Sequence, residues 1–230
     1  ILKNLNEEEK LKELYEKVYR VNPELNLDYA RWLNDEGRED EATKIAEEGL
    51  KESNRSDRTE LLKLLVELYE ARSPEKYVAN LVKLYRDKPN EKYYRELKGA
   101  VPDGQWGNIR SWLEEKLYGY ELIDFYLREG DNQAAFGEVV ESENLRIMQH
   151  YIDELGKYDP EKYFNVYEDL ISSFLAEDTG RRHYREAIDH LRELNKLDLS
   201  DRLEDLVEEL KEENDNRPAF LDEISSFTVL

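Results

Sequence analysis

The residues that could carry out chemistry are few, and their spacing does not favour it. The chain has three histidines, His150, His183 and His190. His183 and His190 are seven residues apart, whereas two metal ligands on one helix normally lie three or four residues apart. No third ligand is fixed near them by the sequence, so we expect histidines on helix surfaces and no metal site.

Acid–base and nucleophilic motifs are equally weak. Aspartate and glutamate together number 55, so neighbouring carboxylates such as Glu208 and Glu209 arise by chance and do not indicate a catalytic pair. The candidate serines lack a glycine elbow and a histidine placed by a motif; they are Ser111, Ser172 and Ser173. We therefore predict that the chain is not an enzyme and binds no cofactor, although an enzyme with an unrecognised cleft stays open as an alternative.

The charge balance limits the class of partner. With 34 basic and 55 acidic residues the net charge is −21, and so negative a surface repels phosphate backbones. The densest basic patch comprises Arg181, Arg182, His183 and Arg185, which we interpret as the solvated first turn of a helix. We expect no direct binding of nucleic acid by this segment. We expect a protein or peptide partner, and the acidity of the chain favours a basic one.

Cysteine is absent, which excludes disulfides and thiolate ligands within the chain and permits a reducing, cytoplasmic location. No apolar run approaches the roughly 20 residues that span a bilayer, so we predict no membrane insertion. The chain begins at Ile1 without methionine, which favours a fragment of a longer protein.

Helical periodicity runs through the whole chain and predicts about a dozen short helices, the first near Glu7 to Arg20. Asp57 and Glu60 have capping-box spacing and open a helix that is apolar on two stripes, which predicts a position between neighbours. Ser73 and Asp159 are each followed by proline and are predicted N-caps.

Two stretches share a helix-turn-helix pattern in which a glycine ends one helix and an alanine follows five residues later. The first copy has Gly37 and Ala42, and the second has Gly130 and Ala135. Glycine can adopt the left-handed conformation that ends a helix, and a small residue allows close helix packing. The predicted fold is an all-α superhelix of stacked antiparallel helical hairpins. The proline and glycines of "VPDGQWG" divide it at about residue 101, into hairpins over 1–100 and a repeat region over 101–230 that form one continuous solenoid.

The first hairpin, "LNLDYARWLNDEG" followed by "REDEATKIAEEGL", resembles a tetratricopeptide repeat. Small residues occupy the positions that this repeat requires, a leucine takes a core position and a glycine the turn; they are Ala30, Ala42, Gly49, Leu33 and Gly37. The early tryptophan and closing proline of the repeat are not matched. The resemblance implies a binding groove lined by the first helix of each hairpin, here by Arg31 and Asn34 in one copy and by Tyr120 and Asp124 in the other.

The second half of the chain resembles the helical region that follows the zinc finger in prokaryotic SWIM zinc-finger proteins. The order of four segments carries this resemblance: "LIDFYLREGDNQAAF", "DPEKYFNVYEDLI", "RRHYREAIDHLRELNKL" and "RPAFLDEI". The finger of that family uses cysteine and histidine ligands, and this chain has no cysteine. The resemblance therefore implies a helical scaffold whose finger lies outside this sequence.

Together these observations predict a noncatalytic protein–protein interaction scaffold within a larger protein that carries a zinc finger. The alternative is a nucleic-acid-associated helical-repeat module that acts with a zinc finger outside this chain. A spacer or dimerisation arm is a further possibility, and the sequence leaves the oligomeric state open.

Overall fold

The structure is a computed structural model and describes residues 10, 12–15, 17, 25–52, 55–102 and 104–229. The predicted helix near Glu7 to Arg20 lies largely outside these residues. Besides helical residues at 10, 12–15 and 17, the described part contains thirteen α-helices, one 3-10 helix at Asn195–Leu197 and no strand. The α-helices are α1 (Leu25–Asp35), α2 (Glu39–Glu52), α3 (Arg55–Tyr69), α4 (Pro74–Asp87), α5 (Glu91–Ala100), α6 (Trp106–Glu114), α7 (Tyr120–Glu129), α8 (Asn132–Glu141), α9 (Leu145–Leu155), α10 (Pro160–Glu177), α11 (Arg181–Leu194), α12 (Ser200–Glu213) and α13 (Pro218–Ile224).

The turn between α1 and α2 has the geometry that its glycine predicts. Gly37 has a φ of +73°, in the left-handed region. The Arg38 amide donates to the Leu33 carbonyl at 2.8 Å, and the Gly37 amide donates to the Asn34 carbonyl at 2.9 Å. These two bonds form a Schellman motif, which satisfies carbonyls left open at the end of α1.

The turn between α7 and α8 repeats this motif. Gly130 also has a φ of +73°, the Asp131 amide donates to the Tyr126 carbonyl at 2.9 Å, and the Gly130 amide donates to the Leu127 carbonyl at 3.0 Å. The prediction of two hairpins with the same turn is confirmed.

Small residues bring the helices of each hairpin together. Ala30, Ala42 and Ala135 are fully buried. A Cβ atom added to Gly49 would lie 2.7 Å from the Cβ atom of Asn26, which is too close for two carbon atoms. The position of Gly49 on α2 therefore requires glycine for the contact with α1.

Helix α3 is buried on both of its predicted stripes, between its sequence neighbours α2 and α4. Its buried residues are Leu61, Leu62, Leu64, Leu65, Val66, Leu68 and Tyr69. The capping prediction is wrong, because α3 begins at Arg55 and Asp57 lies inside its first turn. Ser73 occupies an N-cap position without a side-chain cap bond, whereas Asp159 caps α10 by accepting from the Lys162 amide at 3.1 Å.

The chain divides into two compact units, Ile1–Lys116 and Leu117–Leu230. The predicted boundary near residue 101 lies before α6, but α6 belongs to the first unit. Trp106 at its start meets the ring of Tyr94 edge-on at 6.1 Å, and Leu113 near its end is fully buried.

In the second unit, helices pack against their sequence neighbours and also against the next helix but one. Helix α9 packs on α11, and α11 packs on α13. The even-numbered helices α8, α10 and α12 contact one another in the same way. The Phe136 ring of α8 lies 6.2 Å from the Tyr163 ring of α10, and Arg202 of α12 pairs with Glu161 of α10 at 2.8 Å. Alternate helices therefore form two layers, as a stack of antiparallel hairpins requires. In the first unit α1 likewise packs on α3.

None of the helices in the described ranges combines the length and the apolar character needed to cross a membrane.

Candidate functional site

The predicted site residues of the first unit, Arg31 and Asn34, lie on α1. Arg31 donates from Nη2 to Oε2 of Glu60 at 3.1 Å, so it joins α1 to α3. The Arg31 side chain is nevertheless 50% exposed and that of Glu60 is 37% exposed. Asn34 is partly exposed one turn further along, and its carbonyl accepts the turn bond from Gly37.

The predicted site residues of the second unit, Tyr120 and Asp124, lie one turn apart on α7. Tyr151 of α9 contacts both of them, because its hydroxyl donates to Oδ1 of Asp124 at 2.8 Å and lies 3.2 Å from the Tyr120 carbonyl oxygen. Asp124 also accepts from Arg128 at 3.3 Å. The side chain of Asp124 is still 43% exposed, as is Tyr120, at 43%.

His150 completes what we call the Tyr120 cluster, which consists of Tyr120, Asp124, His150 and Tyr151. The Tyr120 and His150 rings meet nearly at right angles, with centroids 5.3 Å apart. His150 and Tyr151 are also edge to face, at 4.7 Å, and the Tyr120 and Tyr151 rings are 5.9 Å apart. Tyr151 is buried, whereas His150 is exposed. The buried Tyr151 ring therefore holds the cluster in the core, and the Tyr120 and His150 rings are accessible at the surface.

The carboxylates of Asp124 and Glu154 act on Tyr151 in the Tyr120 cluster, and Arg128 pairs with Asp124. Burial raises the pKa of Tyr151, and the hydrogen bond to Asp124 and the charges of Asp124 and Glu154 raise it further. A carboxylate stabilises the neutral phenol because a phenolate beside it would add a second negative charge. The same two carboxylates would stabilise a cation placed at the cluster.

Arg31 and Asn34 lie one turn apart on α1 of the first unit, and Tyr120 and Asp124 lie one turn apart on α7 of the second. Sequence reasoning missed His150 and Tyr151, which come from the next helix but one. No local signal identifies them, because their place beside α7 follows from the packing of α9.

His190 contradicts the expectation of surface histidines. It is only 5% exposed, and its Nδ1 atom lies 2.9 Å from the Tyr167 hydroxyl. Burial lowers the pKa of His190, against the opposing effect of Glu186, Asp189 and Glu193.

His183 is half-buried, with its ring stacked on Phe174 at 4.1 Å and its Nε2 atom 2.7 Å from the Phe174 carbonyl. Within the described ranges no three histidine, aspartate or glutamate residues are grouped as metal ligands would be.

The basic patch at the start of α11 is neutralised from α13. Arg181 pairs with Asp222 at 2.6 Å and with Glu223 at 2.8 Å. Arg185 pairs with Glu223 at 2.9 Å. The residues form the first turn of α11 as predicted, but two of the arginines hold α13 and their charge is balanced by carboxylates.

The first unit also contains an apolar groove between α4 and α6, with a volume of about 730 Å³. Its apolar lining is half-buried or exposed and includes Val78, Val82, Ile109 and Trp112.

No protein-family model, curated protein or solved structure matches this sequence. Function must therefore be argued from the residues and the geometry described above.

Proposed function

We propose that this chain is a noncatalytic scaffold that binds proteins or peptides, and that basic peptides are its preferred partners. The observation that carries the proposal is the stacking of helical hairpins in two layers. Such stacks present extended faces, and proteins built from them commonly serve as binding surfaces.

The site residues implied by the tetratricopeptide resemblance occupy suitable positions for this role. Arg31, Asn34, Tyr120 and Asp124 are all at least partly exposed, and they come from the first helix of the two hairpins that share the Schellman turn. Tyrosine and arginine are among the residues that contribute most to binding energy at interfaces.

Charge supports a basic partner. A net charge of −21 attracts cationic peptides over distances of about 10 Å at moderate salt. The alternative, direct nucleic-acid binding, is disfavoured because two of the three arginines in the densest basic patch, Arg181 and Arg185, already pair with Asp222 and Glu223.

A peptide array tests the proposal. The full chain is incubated with matched basic, neutral and acidic peptides at salt concentrations from about 0.05 to 0.5 M, across which electrostatic attraction is progressively screened. We expect retention of basic peptides that declines as salt rises. Equal retention of acidic peptides, or no retention of any peptide at low salt, would contradict it.

We further propose that the chain is the cytoplasmic helical scaffold of a larger SWIM-type zinc-finger protein. The order of the four segments in the second half supports this kinship. The parental reading frame tests it, because a cysteine and histidine finger directly upstream is expected, and its absence from the complete frame would refute the kinship.

A further inference from the structure

We infer that the Tyr120 cluster binds the cationic side chain of a peptide, with the guanidinium of an arginine as its best ligand. This inference rests on the proposed function and specifies where and how a basic peptide would be recognised. It is carried by the combination of two exposed rings and an exposed carboxylate at one place on α7 and α9.

The rings supply the first part of the recognition. Tyr120 is 43% exposed and stands at an interplanar angle of 83° to His150, so the two rings form a corner. Aromatic faces attract cations through the ring quadrupole, and arginine also stacks on them as a flat group.

The carboxylates supply the second part. Asp124 lies one helical turn beyond Tyr120, with its side chain 43% exposed. Its Oδ1 atom is held by the Tyr151 hydroxyl at 2.8 Å, so the carboxylate is fixed in orientation before a ligand arrives. Glu154 of α9 is exposed and adds negative charge close enough to raise the pKa of Tyr151.

Arg128 does not fill this position. Its Nη2 atom lies 3.3 Å from Oδ2 of Asp124, which is a long contact for a charged pair. The Arg128 side chain is only 20% exposed, whereas that of Asp124 is 43% exposed, so part of the Asp124 side chain stays accessible to a ligand.

Buried Tyr151 explains why the cluster keeps its shape without a ligand. Its ring is 1% exposed and contacts both His150 and Tyr120. A preformed site loses little conformational freedom when it binds, which favours affinity.

The experiment measures binding of a fluorescein-labelled peptide, (Gly-Ser-Arg)3, to the full chain by fluorescence anisotropy. Two matched peptides carry lysine or uncharged citrulline in place of arginine. For the unsubstituted protein we expect the tightest binding with arginine, weaker binding with lysine and little binding with citrulline.

Tyr120→Leu, which removes the ring and keeps an apolar side chain, is expected to weaken arginine-peptide binding about two- to fivefold.

Three further variants make the result specific. Tyr118→Leu is the matched control, because Tyr118 is 76% exposed and lies outside the cluster; it is expected to leave affinity unchanged. Tyr120→Phe keeps the ring and is expected to bind as the unsubstituted protein does. His150→Arg places a positive charge in the corner and is expected to weaken binding like Tyr120→Leu. Circular dichroism checks that each variant is folded.

The outcomes separate this inference from the proposed function. If basic peptides bind but Tyr120→Leu and His150→Arg have no larger effect than Tyr118→Leu, the inference is overturned and the proposed function stands. If the unsubstituted protein binds the arginine and citrulline peptides equally, the inference and the preference for basic peptides are overturned, while peptide binding itself stands. If it binds neither peptide, both the inference and the proposed function are overturned.

Discussion

Among the glycines of the chain that the structure describes, Gly156 directly after α9 has the least room for a side chain. A Cβ atom there would lie 2.5 Å from the Ile152 carbonyl oxygen and 2.5 Å from Cδ2 of Leu197. The backbone must move to relieve such contacts. We expect Gly156→Ala to lower the free energy of unfolding by about 1–3 kcal/mol, measured by urea denaturation.

Gly137 provides the matched control within the same unit. It lies in the middle of α8, and nothing would come within 4 Å of a Cβ atom there. Gly137→Ala should therefore raise the free energy of unfolding by up to about 1 kcal/mol, since alanine favours the helix. Equal stability of the two variants would show that Gly156 and Leu197 are not in close contact.

His190 should make stability depend on pH. Burial lowers its pKa below the ordinary value of 6.5, so the unfolded chain takes up a proton at a higher pH than the folded one. The free energy of unfolding should fall as pH decreases below about 6.5, by at most about 1.4 kcal/mol per pH unit, and should not change through this group above that range.

Urea denaturation at pH 7.5 and pH 5.5 measures this effect. His190→Gln keeps a polar side chain beside Tyr167 and cannot be protonated, so it should lose less stability than the unsubstituted protein between these two pH values. An identical loss in both proteins would mean that His190 does not contribute to the pH dependence.

For single residues, the sequence predicted which side chains are buried in the core better than it predicted the contacts of polar and aromatic side chains. Ala30, Ala42 and Leu33 are fully buried, as the repeat pattern indicated. The burial of His190 could not be predicted, because the hydroxyl that faces it belongs to Tyr167 on a different helix. The pairing of Tyr120 with His150 was hidden for the same reason, since contacts between α7 and α9 depend on how α8 folds back.

At the scale of elements, the two Schellman turns are the features on which the hairpins depend. Gly130 has a left-handed backbone, which costs a residue with a Cβ atom about 1–2 kcal/mol. We expect Gly130→Ala to lower the free energy of unfolding by that amount. Differential scanning calorimetry should detect the change as a lower Tm.

Gly130→Asn is the control for this turn, because asparagine tolerates the left-handed region better than alanine does. It should destabilise the protein less. If alanine and asparagine are equally well tolerated at this position, the turn does not require the described backbone conformation.

The sequence predicted some helix ends correctly and one helix start wrongly. The glycine turns and the Asp159 cap follow local rules that the sequence displays directly. The Asp57 and Glu60 pattern predicted the start of α3 two residues too late, because α3 begins at Arg55. Glu60 binds Lys63 of the same helix at 2.6 Å and Arg31 of α1 at 3.1 Å, and only the second contact requires α1 to lie beside α3.

At the scale of the whole molecule, the division into two units predicts that the second unit folds alone. Its core is continuous and lies within the unit, from Ile123 to Ile224. A protein consisting of residues 117–230 is expected to show helical circular dichroism and a single cooperative thermal transition. Gradual, non-cooperative melting of this fragment would show that its core depends on the first unit.

The unit boundary was harder to predict than the fold class. Proline and glycine mark the chain break before α6, but a break in the backbone does not decide which core a helix joins. Contacts such as Trp106 with Tyr94 decide it, and they connect residues on both sides of the break.

The packing of each helix on its sequence neighbours also has a consequence for how such a chain can evolve. A hairpin that buries its apolar surface only against the adjacent hairpins can be duplicated or deleted without rearranging those further away. Whole hairpins can thus be gained or lost by duplication or deletion in the gene, and only the interfaces with the hairpins directly beside them change.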